Sequence, residues 1–291
     1  MTKIGFIGQG WIGKHYADDF EDRLYEVVRY ALEEPYVQNK EQIILCDIVF
    51  IAVPTPTTPE GFSYEPVIDA LTNLKKGATA VIKSTLSPGT TEVLQKQFPD
   101  LFVLHSPEFL REATAAHDAA KPQRNLVGMP VQSAEFTKKA ESVLRILPEA
   151  PYNKIMSAKE AELIKYAGNC FLYTKVVFMN MLHDVVTSSD ASWETVREAM
   201  SNDPRIGESH MQPLHQSGHL TGEEHAKRGA GGHCFIKDFE AFRQLYTQVV
   251  ADDAGMELLL AMVQKNNDLL LSSEKDVDLL QGVYGDSIIV T

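Results

Sequence analysis

The chain begins with a short apolar run, Lys3-Ile-Gly-Phe-Ile-Gly8, in which polar and apolar positions do not alternate. Such a run suits a strand buried on both faces. Comparable runs recur at residues 25–30, 48–53, 78–84, 101–105 and 125–129. Helical periodicity separates several of them, reaching about Phe20 after the first run and then covering residues 65–74 and 90–97. Buried strands alternating with helices predict α/β architecture, a Rossmann-type doubly wound parallel sheet over residues 1–150. The stretch from Gly13 to Val53 leaves little room for the usual helix and extra strand, so a shortened sheet is expected.

The pattern changes near residue 150. Residues 157–188 hold no proline and only Gly168, and their second half is apolar on most sides. That predicts one long central helix, buried or used between subunits. Shorter helices are expected at 193–200, 238–250 and 256–271. Residues 202–233, rich in Gly, Pro and His, read as a long loop, and loops of that length tend to carry function. Residues 151–291 are therefore expected to form an all-helical dimerisation and catalytic domain.

Composition narrows the function classes. The 291 residues are 44% hydrophobic, enough for one large domain or two. A net charge of −13 argues against nucleic acid and anionic membranes as partners. It leaves phosphate ligands open, because backbone N–H groups at a helix start bind them without net positive charge. Cys46, Cys170 and Cys234 lack CxxC spacing, which disfavours a disulfide scaffold or a structural zinc. The N-terminus lacks a signal-peptide core, and Lys165, Asn169, Lys175 and Asn180 interrupt the most apolar later run, so no membrane span is predicted and a cytoplasmic location is expected. His210, His215, His219, His225 and His233 are irregularly spaced around Pro213 and Gly218, so no metal site is expected.

Two features carry chemistry. Gly8-Gln-Gly10-Trp11-Ile12-Gly13 follows the first strand and opens a helix, the context in which GxGxxG binds a dinucleotide. The first glycine serves the tight turn, the second the approach of a pyrophosphate, the third helix–strand packing. The acidic residue expected at the end of the second strand to meet the adenosine ribose is not obvious, since Glu33 and Glu34 sit late, and Arg29 could instead meet a 2′-phosphate, so NAD is expected with NADP still open. Three polar pairs then share a spacing of four: Glu108 with Glu112, Lys165 with Asn169, and Cys234 with Asp238. On a helical turn each pair shares a face. Singly, each has a plainer reading: a solvated carboxylate face, a snorkelling lysine, a small buried thiol.

Together, IGFIGQGWIG, DIVFIAVPTP, IKSTLSPGTT, SPEFLREA, AELIKYAGNCF, DPRIG and GGHCFIKD resemble the UDP-glucose/GDP-mannose dehydrogenases, in that family's order. The resemblance implies an NAD-dependent oxidation of a nucleotide-sugar primary alcohol to the carboxylate. By position, Cys234 matches the nucleophile that forms the thiohemiacetal and then the thioester. Lys165 and Asn169 match the groups that steady the oxyanion, Asp238 and Thr85 those that order the water, and Glu112 the base for hydrolysis. Thr55 and Thr85 match positions beside the cofactor, with Gly8, Gly10, Trp11, Ile12 and Gly13. Glu108, Phe109, Leu110, Glu112, Lys165, Asn169, Gly231 and Gly232 match the substrate wall, the last two in a flexible glycine segment. The long helix matches the family's dimer-forming helix, so a homodimer is expected. The family's second α/β domain, which holds much of the nucleotide, has no counterpart before the sequence ends, so the substrate could be a nucleotide sugar or a smaller sugar. His233 stands where the family has a small residue, and Ile236 where it has proline. Two other readings remain: a single two-electron oxidation, as in hydroxyacid dehydrogenases with a Lys-x-x-x-Asn motif, and a non-catalytic binding or assembly protein.

Overall fold

A computed structural model describes residues 2–216 and 226–285, apart from the side chain of Glu112. The chain divides into two compact units, residues 1–56 with 63–165, and residues 57–62 with 166–291.

The first unit is built on a seven-stranded sheet. In chain order its elements are β1 (Ile4–Ile7), α1 (Trp11–Asp22), β2 (Val27–Tyr30), α2 (Lys40–Ile43) and β3 (Ile48–Ile51). The hairpin β4 (Thr57–Thr58) and β5 (Gly61–Phe62) belongs to the second unit. The first resumes with α3 (Glu65–Thr72), β6 (Thr79–Ile82), α4 (Thr90–Gln97), β7 (Phe102–His105), α5 (Ala115–Ala120), β8 (Arg124–Met129), α6 (Ala134–Ile146) and β9 (Tyr152–Ser157). Strand order is β2-β1-β3-β6-β7-β8-β9. All neighbours are parallel except β7 and β8. β1, β3 and β6 are buried at every position, which explains why they read as continuous apolar runs. Phe6 stacks on Phe50 at 4.9 Å, and Phe20 of α1 meets both rings edge-on, tying helix to sheet. The shortened segment after Gly13 keeps its strand and holds the four-residue α2 in place of a full helix. β9 follows residue 150 yet pairs with β8 over six residues, Arg124–Met129 against Tyr152–Ser157.

Strand order reverses at β1, whose neighbours are β2 and β3. Ligands of doubly wound sheets bind beyond the strand ends at such a switch point. Gly8 lies there with φ +89°, and a Cβ on it would stand 2.2 Å from the Ala52 carbonyl oxygen. A Cβ on Gly13 would stand 1.9 Å from the Gly8 carbonyl oxygen, whereas one on Gly10 would meet nothing within 4 Å.

The second unit holds α7 (Ala158–Ser188) from residue 166 onward, α8 (Trp193–Ser201), the hairpin of β10 (Leu214–His215) and β11 (Lys227–Arg228), α9 (Gly232–Val249), α10 (Asp253–Ser272) and α11 (Val277–Tyr284). The 31-residue α7 opens with a capping box: Ser157 and Glu160 exchange side-chain and backbone hydrogen bonds. Tyr173 of α7 stacks on Phe239 of α9 at 3.9 Å within a cluster that includes Val177, Ala230 and Val263. The two small hairpins add strand to a unit expected to be wholly helical. Among the described residues no helix is long and apolar enough to cross a membrane.

Gly13→Ala is expected to cost about 1–3 kcal/mol of stability by overpacking, read as a lower denaturation midpoint. Gly10→Ala, whose new methyl meets open space, is expected to stay within about 0.5 kcal/mol of the parent.

Candidate active site

In the first unit the turn after β1 presents the start of α1. Gly10 caps that helix without a side-chain hydrogen bond, and Trp11, Ile12 and Gly13 form its first turn, which has no acidic residue. The leading N–H groups of a helix have no intrahelical acceptor, so this end suits an anion, and the space over Gly10 suits close approach of a pyrophosphate. The residues therefore fit a dinucleotide. Arg29 is already matched by carboxylates, with contacts of 2.7 Å to both Asp18 and Glu21. Its charge is spent within the fold, which removes the feature that pointed to a 2′-phosphate.

Beyond β3 and β6 the loops are tied together. Ser84 Oγ accepts from Val53 N at 3.0 Å and donates to Val53 O at 2.7 Å. Thr55 Oγ1 donates to the Thr85 carbonyl at 2.8 Å, and both threonines are buried. Thr55 and Thr85 are thus brought together at the switch-point end of the sheet.

Glu108 and Glu112 do not share a helical face. Glu108 lies in an irregular segment after β7, and Glu112 only begins a short 3-10 turn; the Glu112 side chain lies outside the described part. Glu108 is not solvated either. It is buried, receives Lys165 Nζ on Oε1 at 2.6 Å, and accepts Leu110 N on Oε2 at 2.7 Å. Lys165 is likewise buried, so it does not snorkel. Phe109 is flanked by two cations, Arg124 at 3.7 Å and Lys165 at 5.8 Å from its ring centre.

Further residues join this group without a sequence signal. Lys83, fully buried, donates to Ser106 Oγ at 3.1 Å and stands 4.3 Å from the Tyr16 ring. Burial pulls its ammonium down to about 7, against the attraction of Glu108. His105 is also fully buried, neither ring nitrogen has a hydrogen-bond partner, and burial holds it neutral at about 3. Glu162, one turn before Lys165, accepts from Gly89 N, Thr91 N and Thr91 Oγ1 at 2.5–2.8 Å, which fixes the first turn of α4.

In the second unit Cys234 is the third residue of α9, one turn before Asp238, so it is helical rather than part of the preceding loop. Gly231 caps this helix and Gly232 starts it. Asp238 is fully buried and accepts from Asn169 Nδ2 at 2.6 Å and from Lys237 Nζ at 2.5 Å. Asn169, four residues beyond Lys165 on α7, is thereby oriented by the aspartate. The three cysteines differ sharply. Cys46 and Cys170 are buried, and burial pushes the Cys46 thiol up to about 11 and the Cys170 thiol well above the usual range. Cys234 is exposed at the positive end of a helix, a setting that favours negative charge. The glycine segment before it is not loose: Ala230 is fully buried and exchanges two hydrogen bonds with Asn266. Arg228, not singled out by sequence, pairs with Asp184 at 2.7 Å and with Asn180.

Lys83 carries a sign that can be tested. Its folded-state value of about 7 lies below that of a free lysine, so between about pH 7 and 10 the unfolded chain holds a proton the folded chain has released. Stability from this group rises with pH across that window. Lys83→Met is therefore expected to raise the melting temperature relative to wild type more at pH 6 than at pH 9.

Comparison with known proteins agrees with this layout. Residues 17–147 match the NAD binding domain of the UDP-glucose/GDP-mannose dehydrogenase family, and residues 159–268 match its central domain. A UDP-glucose 6-dehydrogenase of Bacillus subtilis is 31% identical over 95% of this chain and 64% of its own length. The chain spans about 60% of the length of the curated relatives it matches. A UDP-glucose dehydrogenase of Pyrobaculum islandicum superposes with a TM-score of 0.74 at 25% identity, over 91% of this chain and 68% of that one. A Mycobacterium tuberculosis 3-hydroxyisobutyrate dehydrogenase shares the fold alone, with a TM-score of 0.69 at 14% identity over 100% of this chain and 99% of that one. With both family domains matched in order, and the glycine turn of the first built to accept a dinucleotide, the chain belongs to the UDP-glucose/GDP-mannose dehydrogenase family and carries its NAD binding domain.

Proposed function

We propose that this chain oxidises the primary alcohol of a nucleotide sugar to the carboxylate through covalent attachment to Cys234. The observation that carries the reading is the contrast among the thiols: two are buried and inert, and the third is exposed on the first turn of α9, one turn from an aspartate that holds Asn169. The turn of Gly8, Gly10 and Gly13 with Trp11 and Ile12 would hold two NAD molecules in succession, each able to accept one hydride, the first from the alcohol carbon as its hydroxyl proton passes to solvent, which gives the aldehyde. Thr55 and Thr85 line the same side of the sheet.

The protein's own groups do the rest. The thiolate of Cys234 adds to the carbonyl carbon of the aldehyde, forming a C–S bond and leaving an alkoxide oxygen. Lys165 and Asn169 donate to that oxygen, a cation and an amide suited to developing charge. Loss of the second hydride turns the adduct into a thioester. Water then adds to the thioester carbon, the C–S bond breaks, and the thiolate returns as the acid leaves. Glu112 is assigned to take the water's proton, and Asp238 with Thr85 to order the water. Because both oxygens of Asp238 already accept hydrogen bonds, its larger part in this reading is to hold Asn169. Glu108 holds Lys165 in the same way and, with Phe109, Leu110, Gly231 and Gly232, is assigned to the sugar.

A second reading, one two-electron oxidation of a smaller hydroxy compound, is favoured by Lys165 and Asn169 standing four apart on one helix. It leaves Cys234 idle. The cofactor count separates the two. With UDP-glucose and NAD, two reduced cofactors are expected per acid formed, and Cys234→Ser is expected to lower acid formation by at least about 10³-fold. A Cys234→Ser protein that completes the full oxidation would remove the covalent route.

The exposed face of α7 supports a homodimer. Phe171, Phe178, Met181 and Val185 are 68%, 53%, 49% and 61% exposed, a stripe at helical spacing too apolar for a solvated surface. In sedimentation the parent is expected to run as a dimer and Phe178→Asp as a monomer; a monomeric parent would rule the stripe out as the dimer contact.

A further inference from the structure

The glycine segment that leads into Cys234 is held, residue by residue, by the end of α10 and the turn after it. Lys227 Nζ donates to Glu274 O at 2.7 Å, and Ser273 Oγ donates to Arg228 O at 3.3 Å. Ala230 is bound through both its N–H and its carbonyl by Asn266, at 2.7 and 3.0 Å. Gly229 packs so closely on Leu269 and Leu270 that a Cβ there would stand 2.9 Å from Leu270. Lys275, only 3% exposed, sits at the centre. Its Nζ reaches Gly229 O at 3.0 Å, Lys227 O at 3.4 Å and His215 Nε2 at 3.0 Å. His215 is partly buried and held neutral at about 3 by desolvation, and an ammonium has no lone pair to offer, so Nε2 is the acceptor for the lysine.

Asp276 completes the arrangement. It occupies the N-cap of α11, where an aspartate normally accepts from its own helix. Here it makes no such bond, and its Oδ2 accepts from Gly232 N at 2.7 Å, the first N–H of α9. The turn bends to allow this: Glu274 and Asp276, neither of them glycine, have φ of +53° and +51°. Non-glycine residues held in the left-handed region carry strain that persists only where surrounding structure imposes it. Here two such residues flank a buried lysine, and the side chains of Lys275 and Asp276 are spent on the segment before Cys234.

We propose that residues 274–276 are the positioning element for Cys234: Lys275 fixes the Gly229 carbonyl and Asp276 fixes the Gly232 N–H, so that the first turn of α9 presents the thiol in a single arrangement. This rests on Cys234 being the nucleophile. Lys275 and Asp276 touch neither cofactor nor substrate in this account, and they act through the backbone that carries the thiol.

The test uses the full chain with NAD and UDP-glucose, and the variants Lys275→Met, Asp276→Ala and Asp276→Asn. Turnover, the KM for NAD, and the rate of Cys234 alkylation by iodoacetamide, read on the Cys234 peptide by mass, are measured in proteins that melt cooperatively. Lys275→Met and Asp276→Ala are expected to lower kcat at least tenfold, leave the KM for NAD within twofold, and change the alkylation rate at least threefold. Asp276→Asn, which can still accept from Gly232 N, is expected to recover most of the loss. Wild-type kcat and alkylation in the cooperative variants would overturn the proposal, as would an Asn variant as impaired as the Ala variant. If Lys275→Met does not fold, the Asp276 pair decides. If the parent itself shows no turnover, the proposed function fails, and the alkylation rates alone decide the positioning.

Discussion

A carboxylate removed from water must be met by donors, and that requirement shapes the candidate residues of each unit. Asp238 is wholly buried, and what makes its burial tolerable is Asn169 on α7 and Lys237 on its own helix. The bond to Asn169 sets α9 against α7 at the turn that carries Cys234. Glu108 obeys the same rule in the first unit, where its two oxygens are taken by Lys165 and by Leu110 N. In each case an acid holds a donor that the proposed chemistry uses. Removing Glu108 would take the carboxylate from beside a buried ammonium, which costs more than the pair contributes when intact.

The cofactor end of the fold rests on backbone geometry instead of charge. The turn after β1 is possible because Gly8 takes a positive φ and Gly13 lets α1 approach the strand within the reach of a carbonyl oxygen. Gly10 alone has open space above it, and open space over a helix start is what a pyrophosphate requires. The order reversal at β1 puts this turn beside the loops of Thr55 and Thr85. The same logic of held backbone returns before Cys234, with a difference: there the glycine segment is fixed by side chains of a later turn.

Much of this was legible in the sequence because it is local. The glycine turn, the buried strands, the long helix and the spacing of four between Lys165 and Asn169 or Cys234 and Asp238 are all read within a few residues. The burial of Glu108 and its pairing with Lys165 were not, since exposed carboxylates are the usual case and the partner lies 57 residues away. The shared face assumed for Glu108 and Glu112 failed because that segment is not helical. β9 escaped notice because an edge strand exposed at half its positions gives no apolar run. Lys83, His105 and Glu162 are ordinary residues in sequence and become unusual only through burial among strands and helices distant along the chain. The turn at residues 274–276 gave no signal, because its positive φ values fall on Glu and Asp, where no glycine marks them.

The central claim is that the substrate becomes covalently attached to Cys234 between two oxidations. It is tested most directly by mixing the protein with NAD and UDP-glucose for a single turnover, quenching in acid, and mapping mass on the Cys234 peptide. A sugar-nucleotide adduct on Cys234 that appears after the first reduced cofactor and decays as acid forms is the predicted result. Release of an aldehyde, or complete oxidation with no mass on that peptide at any time, would contradict it.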